Sequence, residues 1–162
     1  MINSRKELFF YLDQDSKRFK LNHNNLINFI LRDETWFISI FQKNLRFLEY
    51  YENTNNSILF FYFHFLIHKW LSYKLRCTVY PNTTKYGFRI YGIGDFTHVS
   101  RNCKIGTNCS IMSGVVIGNK KLEEDKYSYV VIGNNCIIGY DVRILGNVNI
   151  GNNVIISSHS VS

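Results

Sequence analysis

The chain has 162 residues, enough for one ordinary domain or two small ones, and its 46% hydrophobic against 19% charged residues exclude a disordered tail. Nineteen Lys and Arg against twelve Asp and Glu give a formal charge of +7, with 11 basic residues before position 81, 8 from there on, and no basic run longer than two. So even a spread argues against a nucleic-acid stripe and reads as a solubility feature that also attracts anionic ligands.

The informative numbers are positional. All ten glycines lie at or after Gly87, the sole proline is Pro81, and 19 of the 26 aromatic residues precede position 81. Two halves of different architecture therefore meet near Pro81. The expected organisation is a helical region over 1–78 and a second region over 79–162 with a loop at 119–129.

Ser4-Arg5-Lys6-Glu7 has the S-x-x-E form of a capping box and predicts a first helix running to about Lys20. Asn22 to Asn25 break the pattern, and a short second helix is expected to run to Arg32. Phe37, Ile40, Phe41, Leu48 and Tyr51 lie on one face of a further helix. After the polar stretch Asn53–Ser57, Leu59, Tyr62, Phe63, Leu66, Trp70 and Tyr73 repeat that spacing in a last helix. This half reads as a bundle packed on the second half or on a neighbouring subunit. His64 and His68, one helical turn apart, lack an H-E-x-x-H pattern and read as packing histidines rather than metal ligands.

From residue 93 the chain repeats every six positions. Aliphatic residues recur at Ile93, Val99, Ile105, Ile111 and Ile117, and again at Ile132, Ile138, Ile144, Ile150 and Ile156. The step of 15 between Ile117 and Ile132 is not a multiple of six, so a loop interrupts the repeat. The second hexad position is often Gly (Gly94, Gly106, Gly118, Gly133, Gly139, Gly151), the fourth often Asn. Both types suit a tight, sometimes left-handed corner. The fifth position is small and inward, which makes Cys103, Cys109 and Cys136 core residues rather than redox or metal groups. No CxxC pair is present, and neither a P-loop nor a GxGxxG fingerprint appears.

The run from Val99 to Ser162, with Ile105-Gly106-Thr107-Asn108-Cys109-Ser110 and Ile150-Gly151-Asn152-Asn153-Val154-Ile155, resembles the left-handed parallel β-helix of the hexapeptide-repeat acyltransferases. The order of helices, β-helix and interrupting loop resembles serine acetyltransferases and the related capsule or lipopolysaccharide O-acetyltransferases. The expected fold class is thus α+β in sequence order, an N-terminal helical domain followed by a left-handed parallel β-helix. The resemblance implies an O-acyltransferase that moves acetyl from acetyl-CoA to a hydroxyl of L-serine or a sugar, working as a homotrimer with a histidine general base and no metal. The alternative is a catalytically inactive β-helix scaffold or partner subunit.

Against the family's pattern, its histidine after a Gly-x-x-Ile segment falls on Gly92, its Asp-x-His-Pro motif on Thr78-Val79-Tyr80-Pro81, and its second histidine near Tyr129. His98, in the outward sixth slot of its hexad, is the nearest imidazole and the expected base, with Asp95 to orient it. Lys120, Lys121, Gly139 and Arg143 are the expected CoA-binding positions, the cations facing phosphate. The family continues past the position of Ser162 with a Gly-x-Pro-Ala segment that contributes to the CoA site, so a shortened member is one expectation. Met1–Arg5 leads into a charged segment, and the longest apolar run, the ten residues Ile58–Ile67, is half of the ~20 that span a bilayer. A cytoplasmic protein without nucleic-acid or peripheral membrane partners is expected.

Overall fold

The computed structural model describes residues 1–19, 33–119 and 129–162. The expected second short helix, Lys120 and Lys121 lie outside the described residues. Helix α1 spans Arg5–Ser16, with Ser4 accepting the Glu7 N–H and Glu7 returning a bond to the Asn3 N–H at 2.7 Å. Helix α2 spans Glu34–Thr54 and ends on Asn55 in the left-handed conformation, and α3 spans Ile58–Leu75 and ends on Arg76 in the same conformation.

The strand region begins directly after α3. Among the described residues its short strands are eleven: β1 (Cys77–Val79), β2 (Arg89–Tyr91), β3 (Thr97–Val99), β4 (Cys103–Ile105), β5 (Ser110–Met112), β6 (Val116–Gly118), β7 (Val130–Ile132), β8 (Ile137–Ile138), β9 (Arg143–Leu145), β10 (Val148–Ile150) and β11 (Ile155–Ile156). They form three parallel sheets, ordered β1-β3-β6-β9, β4-β7-β10 and β2-β5-β8-β11. From β2 onward successive strands enter successive sheets, and between β1 and β2 Thr84 bridges Ile105 of the second sheet, so the chain winds as a three-sided parallel β-helix. The aliphatic hexad position points inward: Val99, Ile105, Ile111, Ile117, Ile132, Ile138 and Ile144 are all buried. Cys77, Cys103, Cys109 and Cys136 are buried free thiols, and burial pushes Cys77 and Cys103 up to about 12, the behaviour of core residues rather than nucleophiles.

The glycines differ from expectation. Left-handed corners fall mostly on the fourth hexad position, at Asn108, Asn135, Asp141, Asn153 and His159, whose φ lies between 52° and 61°. Gly106, Gly133 and Gly139 are needed instead for close stacking of coils. A Cβ on Gly106 would sit 2.4 Å from the Gly133 carbonyl oxygen, and one on Gly139 2.7 Å from the Ser158 nitrogen. Asparagine supplies the corner geometry, and glycine lets the next coil approach.

The helices pack on one end of the coil in a shared core that joins Ile38, Phe41, Leu45, Leu71 and Leu75 to Cys77, Val79 and Phe88. A charged hub fixes that junction. Arg46 is wholly buried; its Nε donates to Asp15 at 2.7 Å, Nη1 to Glu49 at 2.9 Å and to the Thr84 carbonyl at 3.0 Å, and Nη2 to the Lys85 carbonyl at 2.9 Å. Asp15 also accepts the Gly87 N–H, tying α1 to the first coil.

Helix α3 buries His68, Leu71 and Leu75. The face read from its spacing, Leu59, Tyr62, Phe63, Leu66, Trp70 and Tyr73, is the exposed one. The helix is apolar on every side, so its spacing marks a helix without selecting the buried face. The packing role of the histidines is seen directly: His68 Nε2 meets the Val79 carbonyl at 3.1 Å and stacks on Phe41, while His64 Nδ1 meets Asn44 at 2.8 Å.

Candidate active site

Parallel register builds a column of outward side chains on the first sheet. Thr78 pairs with His98, His98 with Val116, and Val116 with Arg143. Neighbouring rungs are ~4.8 Å apart, so His98 and Arg143 share one face about 10 Å apart with Val116 between them.

His98 is half-buried. Its ring stacks on Phe96 (centroids 5.8 Å, 13° between planes) and meets Tyr80 edge-on at 6.0 Å. Burial lowers its pKa below the usual histidine value, which favours the neutral imidazole that a general base requires. Phe96 and Tyr80 also wall a cleft of about 680 Å³ between α3 and the first coil. Phe61, Phe65, His68 and Arg101 are among its other walls, and Arg101 lies over the Tyr80 ring at 4.8 Å.

Asp95 is not brought to His98. Its carboxylate accepts from Ser113 Oγ at 3.2 Å and from the Tyr140 hydroxyl, whose pKa it raises. Asp95 lies exposed in the bend that precedes β3 and turns to the side of Ser113 and Tyr140. Asp141 faces His159 at 3.4 Å and Arg143 at 3.6 Å. Arg143 is exposed, as a phosphate-facing residue must be. Gly139 is buried and donates its N–H to the Ile156 carbonyl, so it serves stacking of the coils. Arg143 is thus the described member of the expected CoA set that combines charge with exposure.

Gly92, where the resemblance places a histidine, has φ +85°, and a Cβ there would lie 3.2 Å from Ser113 and 3.8 Å from Glu34 Oε1. A larger residue would be strained at that backbone angle. Thr78 and Tyr80, at the Asp-x-His-Pro positions, stand beside His98 and line the cleft. The hexad pattern carried no signal for this cleft, because half of its wall comes from the helices α2 and α3.

Residues 129–161 match the family model described as bacterial transferase hexapeptide (six repeats). No curated protein matches the chain by sequence. Among solved structures, serine acetyltransferase from Neisseria gonorrhoeae superposes with a TM-score of 0.65 at 20% identity, over 96% of this chain and 58% of that one. The native serine acetyltransferase 1 of Entamoeba histolytica gives 0.62 at 18% identity over 96% and 57%, and the Brucella abortus strain S19 enzyme gives 0.63 at 16% over 95% and 60%. The fold is that of the serine acetyltransferases. This chain therefore spans rather under two thirds of the serine acetyltransferases it matches, and the likeness includes the helices as well as the hexapeptide coil.

Proposed function

We propose that the protein is an O-acyltransferase that moves an acetyl group from acetyl-CoA to the hydroxyl of L-serine or of a sugar, on a left-handed coil. The observation that carries this reading is His98: a half-buried imidazole with a lowered pKa, on the outward face of a hexapeptide coil and against two walls of a cleft. His98 takes the proton of the acceptor hydroxyl as its oxygen attacks the thioester carbonyl. The tetrahedral intermediate then collapses, expelling the CoA thiolate, and His98 returns the proton to sulfur. Backbone N–H groups serve the developing oxyanion, and Arg143 faces the CoA phosphates, the role that the family resemblance also gives to Lys120 and Lys121. The working form is a cytoplasmic homotrimer.

The test is thiol release from acetyl-CoA by the purified full chain with serine and with a panel of sugars and nucleotide sugars. Turnover with any acceptor supports the reading, and none with every acceptor ends it. The second reading, an inactive β-helix scaffold, is favoured by two specific observations. Gly92 stands where the family has a histidine, and Asp95 is engaged by Ser113 and Tyr140 instead of orienting His98.

A further inference from the structure

The cleft beside His98 has a composition that does not suit a free amino acid. Among the described residues its cations are Lys69, Arg76 and Arg101, and its one acidic residue is Glu52, which accepts from Asn82 at 3.3 Å. Among the described residues none of the three cations is in a salt bridge. Lys69 lies over the Phe65 ring at 5.6 Å and Arg101 over Tyr80 at 4.8 Å. Unpaired cations resting on ring faces are ready partners for phosphate, for which Arg supplies planar donors.

The walls supply the rest. Phe65 and Phe96 present 36% and 55% of their surface, and Phe61 and Tyr80 continue the aromatic lining. Ring faces beside cations form a stacking platform for a nucleobase. An ammonium group, by contrast, needs an anion near the reacting hydroxyl. The residues around His98 are Thr78, Tyr80, Phe96 and Val116, and the nearby carboxylate of Asp95 is held by Ser113 and Tyr140.

We propose that this cleft is a nucleoside-diphosphate site, and that the acceptor is a sugar carried on a nucleoside diphosphate rather than free serine. The base lies between the aromatic walls, the diphosphate faces Arg76, Arg101 and Lys69, and the sugar hydroxyl reaches His98. The acceptor half of this inference rests on the acyl-transfer reading; the nucleotide site does not. CoA also carries an adenosine diphosphate group, so the two sources must be separated by experiment.

Calorimetric titration of the full chain with UDP and ADP, alone and with saturating CoA, separates them. UDP should bind, bind equally in the presence of CoA, and lose roughly ten-fold in affinity in each of Arg101→Ala and Arg76→Asn, the latter keeping a residue that tolerates the left-handed cap. Lys104→Ala, an exposed cation on another sheet, should bind UDP like the wild type. Matching melting temperatures establish that the variants are folded. Absence of both UDP and ADP binding overturns the site, and displacement of UDP by CoA one for one assigns the cleft to the acyl donor and overturns the acceptor. Acetylation of serine without UDP competition overturns the acceptor while leaving acyl transfer intact. UDP binding with no thiol release from acetyl-CoA on any nucleotide sugar overturns the acceptor and leaves the nucleotide site standing; only when serine and every other sugar fail as well does the acyl-transfer reading end.

Discussion

Replacing Arg46 by Met should be the most damaging single change at the junction of helices and coil. Met fills much of the volume and removes only the guanidinium. Asp15, Glu49 and the carbonyls of Thr84 and Lys85 would then lose a charged donor at 2.7–3.0 Å, with both carboxylates still buried. Removing one partner of a buried ion pair costs about 3–5 kcal/mol. Against a typical stability of about 5–15 kcal/mol that is a large share. At 2–4 °C per kcal/mol for a chain of this size, the melting temperature should fall by about 6–20 °C. Two readouts separate this reasoning from loss of packing. Burial already raises the pKa of Glu49, and without Arg46 that carboxylate should bind a proton more readily when folded than when unfolded. That extra stability is present at low pH and lost as pH rises, so the deficit of Arg46→Met should be smaller at pH 4.5 than at pH 7.5. Adding Asp15→Asn and Glu49→Gln to Arg46→Met should restore part of the loss. Urea denaturation measures all of this. A loss under about 1 kcal/mol, or a deficit independent of pH, would falsify the argument.

Other consequences are as direct. His98→Ala should lower kcat by roughly 10²–10⁴-fold in the thiol-release assay, whereas Asp95→Asn should leave the rate near wild type; the reverse ranking would return Asp95 to an orienting role. Burial holds the pKa of His68 at about 4, so its stabilising contribution is complete above the unfolded value of 6.5 and is lost as pH falls towards 4. The size is about 3 kcal/mol, and His68→Gln should flatten the stability profile between those pH values by that amount; an unchanged slope means His68 already protonates freely. Gly106→Ala drives a Cβ against the Gly133 carbonyl and should cost about 1–3 kcal/mol or more, while Gly151→Ala, which meets nothing within 4 Å, should cost little. Equal melting temperatures for those two variants would show that glycine is not needed for coil stacking.

Much of the coil was legible because a six-residue repeat leaves few other ways to bury Ile105, Ile111 and Ile117 together with Cys103 and Cys109. The capping box at Ser4 was equally readable, being a matter of four adjacent residues. What escaped depended on contacts between distant segments. Position alone could not tell that Asn108 takes the left-handed corner and Gly106 the close approach, since both types permit a turn. The offset of three positions between Asp95 and His98 suggested proximity, but Asp95 lies in the bend before β3 and is engaged by Ser113 and Tyr140. The exposed face of α3 was misleading because both sides of that helix are apolar. Arg46 carries no local signal, because its partners Asp15, Thr84 and Lys85 come from α1 and the first coil.

The interrupted period also bears on which changes in length the chain can accept. Ile132 and Ile150, in register on adjacent rungs, are 18 residues apart, whereas Ile105 and Ile132, likewise in register, are 27 apart. The excursion thus adds nine residues and returns the chain to the same column. Inserting one residue anywhere on the coil proper would turn every later aliphatic side chain out of the interior, unless an excursion absorbed it. Variation in this scaffold is therefore quantised along the coil and continuous only where the chain leaves it, so new contacts are most easily gained by lengthening or shortening an excursion, this one or the smaller one before β3, where Ile90 and Ile111 stand in register 21 residues apart.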